Sequence, residues 1–309
     1  MPRPLRSIET LRTAFPEGVF TADDARAVGV SGSTADRLVA RDLLLRAGVR
    51  KYLVPPAPTT SRDRYLAGLR RLLDAHPGAV AAGVSAAAAR GLRCPDPWGD
   101  WLNLPFVLGT ERPIHRRPGL RVVRLVEGEV LDGLRCTDLP VTAREVARHL
   151  PAPQALIVLD HVAREIAGTD DKLRLIAPKT RAKVAAALGT GAAVPRERAA
   201  RRTMSWADPA ADSAPESYLR GHLLLAGVEA PRVNHPVTAA SGRGYFPDLW
   251  WPDRSLAIEI DGKEKYDGPG ALYAEKIRED DLRLAGLQVL RWTAGDVFRF
   301  APALVAQLR

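Results

Sequence analysis

Near its C-terminal end the chain gathers Asp248, Glu259, Asp261 and Lys263 within a short stretch. In Leu256-Ala257-Ile258-Glu259-Ile260-Asp261-Gly262-Lys263, apolar and polar residues alternate with period two, the signature of a strand. Ile258 and Ile260 then face a core, while Glu259, Asp261 and Lys263 share the opposite face. Asp248 lies on the preceding run, Tyr245–Trp251, and joins them if the two runs pair as a hairpin across Pro252-Asp253-Arg254. Converging carboxylates repel, and each would retain a proton without a neutralising partner. A hard divalent cation, Mg²⁺ or Mn²⁺, relieves this: Mg²⁺ takes oxygen ligands at about 2.0–2.1 Å and keeps several waters. Such an ion can polarise a phosphodiester and acidify a water. Lys263, with Lys265 next to it in rank, would steady the developing negative charge. The expected metal ligands are therefore Asp248, Glu259 and Asp261, with Lys263 assisting. A charged i, i+2 pair taken alone reads more readily as the solvated face of an amphipathic strand. The neighbouring Pro247-Asp248, the short turn and the apolar flanks favour chemistry.

The elements that must hold these residues are legible from punctuation and periodicity. Residues 215–227 read as a helix with Leu219, Leu223 and Leu224 on one side, Glu216 in its first turn and Gly227 as its stop. A strand is expected over Val233–Thr238 and a Gly-containing turn over Ser241–Gly244, leading to the Tyr245–Trp251 and Leu256–Lys263 strands. A charge-dense helix over Ala274–Ala285 stops at Gly286, and Leu287–Trp292 is a further strand. The order is helix, three strands, helix, strand.

Pro247-Asp248, Glu259-x-Asp261-Gly262-Lys263 and this αβββαβ order resemble the PD-(D/E)XK nucleases, closest to very-short-patch-repair-like endonuclease domains. The run from Asp280 to Arg291 resembles the helix-to-last-strand segment of that branch. The resemblance covers about residues 213–300. It implies metal-dependent phosphodiester hydrolysis, with Asp248, Glu259 and Asp261 as ligands and Glu216 matching the helix glutamate that can hold a metal water. Many relatives place a histidine soon after the Asp-Gly pair; here Lys263, Lys265 and Tyr266 follow, which leaves the general base open.

At the other end, residues 1–56 read as two short helices joined by a Gly-containing turn and followed by a hairpin. Thr21 is an expected N-cap and Gly29 a helix stop. The second helix, about Ser33–Arg41, turns Leu38 and Val39 inward. The polar Ser33, Thr34 and Arg37 on this helix, and Arg46, Arg50 and Lys51 on the hairpin, are groups that would meet DNA phosphates. A small helical bundle with no partner is the plainer alternative. Gly18–Ala22, Gly29-Val30-Ser31, Arg37-Leu38-Val39 and Lys51-Tyr52-Leu53 resemble the winged-helix domain of AbiEi-type antitoxins. Residues 61–176 resemble the α+β domain that follows it in that family. This implies operator binding and a cognate toxin as partner, although no toxin-like nucleotidyltransferase sequence occurs in the chain. Residues 177–212, with Pro195-Arg196-Glu197-Arg198 and Arg201-Arg202, read as a flexible basic linker to the 213–309 domain.

Composition bounds these readings. The chain has 309 residues, enough for several cores, with 46% hydrophobic and 26% charged residues and a net charge of +9. That excess suits a polyanionic partner, although Arg- and Ala-rich sequence is also what a high-GC genome encodes. No apolar run approaches the roughly 18 residues of a membrane span, and Cys94 and Cys136 fit a reducing cytoplasm better than a disulfide framework. The expectation is an α+β multidomain protein: a DNA-binding metal-dependent endonuclease, with dimerisation expected if both strands are cut. The alternative is an AbiEi-like antitoxin or repressor whose nuclease fold is inactive.

Overall fold

The computed structural model describes residues 3–15, 19–40, 43–48, 51–54, 60–114, 119–124, 127–189, 197–262 and 269–308. They form a mixed α+β architecture in two compact units, Met1–Ala79 and Val80–Arg309.

The first unit contains α1 (Arg3–Ala14), β1 (Val19–Thr21), α2 (Ala22–Ala27), α3 (Gly32–Val39), β2 (Leu45–Gly48), β3 (Lys51–Leu53) and α4 (Ser61–Ala75). Its sheet is antiparallel in the order β1-β3-β2. Thr21 and Asp24 form a reciprocal capping box that starts α2, and Gly29 leaves the helix at φ +81°. Leu11, Phe20, Ala35, Leu38 and Leu44 make the core, with Phe20 stacked against Phe15 and Tyr52. The helix α4, expected to open the middle domain, clusters with this unit instead.

The second unit begins with β4 (Val80–Ala81), α5 (Gly83–Ala89), β5 (Phe106–Gly109), β6 (Leu120–Val123), β7 (Glu129–Leu131) and β8 (Leu134–Cys136), whose sheet order is β6-β5-β4-β8-β7. The alanine-rich run that follows Gly78 opens as the strand β4, central in the sheet, before it turns helical in α5. Next come α6 (Leu139–His149), α7 (Ala152–Ala167), α8 (Lys172–Leu175), α9 (Pro178–Leu188) and α10 (Glu197–Ser205). Leu156, Ile157, Val158 and Leu159 are all fully buried, so the middle of α7 is covered on every side. Among the described residues of 177–212, helices α9 and α10 stand where a flexible linker was expected. Val184 and Leu188 of α9 and Ala200, Thr203 and Met204 of α10 are buried, with the α10 arginines on the outer side. The i, i+3, i+4 spacing of Ala200, Thr203 and Met204 gives this basic run an inward stripe.

The remainder is α11 (Ala214–Leu225), β9 (Arg232–Val233), β10 (Val237–Thr238), β11 (Gly244–Tyr245), β12 (Leu249–Trp251), β13 (Leu256–Asp261), α12 (Pro269–Leu284), β14 (Gln288–Thr293) and α13 (Ala294–Ala306). Each of the first two expected strands is broken in two. Pro236 and Pro247 have no N–H to donate, and Asn234 adopts a left-handed φ of +44°. So β9 and β12 join β13 and β14 in a four-stranded sheet ordered β14-β13-β12-β9, while β10 and β11 pair as a separate ribbon. β12 and β13 are antiparallel, and β13 and β14 parallel. The alternation along β13 holds: Leu256, Ile258 and Ile260 pack with Leu219 and Leu223 of α11 and Val297 of α13. Ala257 packs on the opposite face with Leu282 of α12 and Val289. Helix α13 was not expected; the Thr293–Asp296 capping box marks its start.

Helices α7 and α11 meet closely. A Cβ on Gly221 would lie 2.5 Å from Pro153 Cα, and the buried Arg220 donates to the buried Asp160. Among the described residues no helix is long and apolar enough to cross a membrane.

Candidate active site

Asp248 stands just before β12, after Pro247. The β12–β13 register pairs Leu249 with Ile258, and beyond it the Asp248 side chain takes over from the ladder, Oδ2 accepting from Ile260 N at 2.7 Å. Asp248 is thereby pinned against the peptide between Glu259 and Asp261. Glu259 is 4% exposed, and its Oε1 accepts from Arg278 of α12 at 2.7 Å. Arg278 lies 5.5 Å from the centroid of the Tyr245 ring. Asp261 is 4.0 Å from Arg291 Nη1, and Glu279 is 3.8 Å from Arg291 Nε. Lys263, together with Lys265 and Tyr266, lies outside the described residues.

Glu216 reaches the same region from α11. Ser213 caps the helix, and Glu216 Oε2 accepts from Asp212 N and from Asn234 Nδ2, each at 3.0 Å. Burial, and after it the charge of Asp248, push the Glu216 carboxyl up to about 8. A buried acid whose ionisation is opposed by a neighbouring carboxylate is chemistry that a hard divalent cation relieves. Glu259 fits that role less well, since Arg278 already neutralises it. Among the described residues no group of three His, Cys, Asp or Glu side chains is arranged to hold a metal ion.

Several residues at this site were not anticipated. Asn234 is buried; its backbone N–H donates to Asp248 O at 3.1 Å and its Nδ2 also donates to Ala210 O at 3.0 Å. Lys172 of α8 donates from Nζ to Asn234 Oδ1 at 3.0 Å, pairs with Asp212 Oδ2 at 3.0 Å, and lies 5.5 Å from the Phe246 ring centroid. Asp212 is also paired with Arg164, and Arg93 donates to the carbonyls of Ala211 and Asp212. Burial pulls the Asp212 pKa upward, but Lys172 and Arg164 overcome it and leave the carboxyl below its ordinary value. The Asn234-His235-Pro236 break is visible in the sequence, because Asn tolerates left-handed backbone. Lys172 has no local signal.

The expected DNA-contacting residues lie in the first unit. Ser33 and Arg37 are exposed on α3 and Thr34 half-buried, with Arg37 Nη2 donating to Thr34 Oγ1 at 3.2 Å. Arg46 of β2 pairs with Asp36 of α3 at 2.7 Å, tying the hairpin to the helix. Lys51 opens β3, and Arg50 lies outside the described residues.

No protein-family model matches the chain. Two Mycobacterium tuberculosis proteins are similar to it: the uncharacterized protein Rv2248 of strain H37Rv and the uncharacterized protein MT2308 of strain CDC 1551. Each is 34% identical over 180 residues, covering 58% of this chain and 58% of the relative's own length.

Proposed function

We propose that the protein is a cytoplasmic, DNA-binding, metal-dependent endonuclease that hydrolyses phosphodiester bonds. In this reading residues 1–56 are a winged helix that engages DNA, and residues 213–309 are a PD-(D/E)XK-type domain like those of very-short-patch repair. The observation that carries it is Asp248 hydrogen-bonded to the peptide between Glu259 and Asp261, with its charge felt by the buried Glu216. The succession from α11 through β13 and α12 to β14 supports the same reading.

Mg²⁺ or Mn²⁺, when bound, supplies Lewis acidity and positive charge at the phosphodiester. Asp248 and Asp261 would hold the ion, and Glu259 joins them once Arg278 is displaced. Glu216, fixed by Asp212 and Asn234, orients a water beside Asp248. Lys263 follows directly on Gly262 and steadies negative charge at phosphorus. Cutting both strands calls for two such sites, hence a homodimer. Incubation with supercoiled plasmid and Mg²⁺ or Mn²⁺ tests the proposal. Nicking or linearisation should vanish with chelator and in Asp261→Ala, while that variant keeps near-normal DNA affinity; a variant that cuts at the wild-type rate removes the site assignment.

The Glu259–Arg278 ion pair favours a second reading, because it engages a carboxylate that the chemistry requires. In it the chain is an AbiEi-like antitoxin or repressor, with a cognate toxin as partner, that uses an inactive nuclease fold for binding. Tight operator-specific binding without metal is then expected, and weak, sequence-blind binding counts against it.

A further inference from the structure

The carboxylates of the candidate site need a cation facing the incoming phosphate. Most arginines around them already have partners. Arg278 holds Glu259, Arg291 lies against Asp261 and Glu279, Arg164 is bound to Asp212 and to Pro209 O, and Arg93 to two backbone carbonyls.

Lys172 differs. Its ammonium has three donors; one goes to Asn234 Oδ1 and one to Asp212 Oδ2, while the side chain remains 42% exposed. Phe246, two residues before Asp248, places its ring centroid 5.5 Å from the ammonium, within range of a cation–π contact. Asn234 connects this ammonium to the acid pair: Oδ1 accepts from Lys172, Nδ2 donates to Glu216 Oε2, and the backbone N–H donates to Asp248 O. The amide has one orientation compatible with both side-chain bonds, so the lysine and Glu216 are held in fixed relation.

We propose that Lys172 is a second phosphate-facing cation of this site, in addition to the role proposed for Lys263: a catalytic residue supplied from outside the αβββαβ unit and held by Asp212 and Asn234. It donates its remaining N–H to a non-bridging oxygen of the scissile phosphate, where negative charge builds during attack. The proposal rests on the nuclease reading.

The test uses the full chain with Lys172→Met and Lys172→Arg. Initial rates on supercoiled plasmid in Mn²⁺ should show kcat for Lys172→Met reduced about 100-fold or more, as for other transition-state donors, with KM nearly unchanged. Lys172→Arg should restore most of the rate. The melting midpoint should stay near wild type, because Asp212 keeps Arg164. Wild-type kcat in Lys172→Met overturns the assignment. So does equal inactivity of both variants together with a lowered midpoint, since that marks a structural role. Separately, binding of a duplex oligonucleotide without metal is followed against salt; loss of one phosphate contact lowers the slope of log K on log [salt] by about one. If wild-type protein cuts nothing, the nuclease reading fails, and the phosphate contact stands on this slope alone; an unchanged slope overturns it too.

Discussion

His161 sits on α7 beneath the loop that carries Arg93. Its Nδ1 accepts from Arg93 N at 2.9 Å, which requires that nitrogen to be unprotonated. Burial first, then the charges of Arg93 and Arg164, depress its pKa from 6.5 to about 4, although Glu165 lies 3.6 Å from Nε2. In the unfolded chain His161 titrates near 6.5. Between that value and about 4 the unfolded state binds the extra proton, so stability present above pH 6.5 is lost as pH falls toward 4. The loss from this one group is on the order of 3 kcal/mol. His161→Gln, which keeps an acceptor, should flatten the stability curve there; chemical denaturation at pH 4.5 and 7 checks this. At this scale the sequence is informative along a strand and silent across space. Ile258 and Ile260 announced one face of β13, and Glu259 and Asp261 the other. That Arg278 would cover Glu259, or that Lys172 would reach Asn234, depends on tertiary approach, which leaves no mark on local spacing.

Gly221 shows how elements set tolerance. At that point α11 crosses the start of α7 so closely that a methyl group would sit 2.5 Å from Pro153 Cα. Alanine favours a helix over glycine by about 1 kcal/mol, but overpacking typically costs about 1–3 kcal/mol. Here the obstacle is backbone, which cannot rotate away. Gly221→Ala should therefore be net destabilising by about 1 kcal/mol or more, read as a lower denaturant midpoint. Element identity was largely legible: the capping residue Thr21 and the stops Gly29, Gly227 and Gly286 mark real ends. Two misreadings have plain causes. The basic composition of residues 197–205 masked the buried stripe of Ala200, Thr203 and Met204. Pro236 and Pro247 split strands that hydropathy alone would run straight through.

For the molecule as a whole, a net charge of +9 and the α3 cluster lead to one expectation about DNA. Arg37→Ala should weaken duplex binding across sequences alike and reduce the salt slope by about one, measured by fluorescence anisotropy at several salt concentrations. An effect confined to one sequence would instead make Arg37 a base reader. The α+β class was readable from alternating periods; the division into units was not, because α4 joins the first and α9 and α10 are absorbed into the second. The seam between α7 and α11 has a consequence for protein engineering. Under the proposed nuclease function, residues 213–309 would be the cassette to fuse to another targeting module. Excised, the cassette would expose the Gly221 contact face and leave the Arg220 guanidinium without the Asp160 carboxylate that neutralises it. A working fusion has to carry α7 along, so the smallest transplantable piece begins well upstream of the motif.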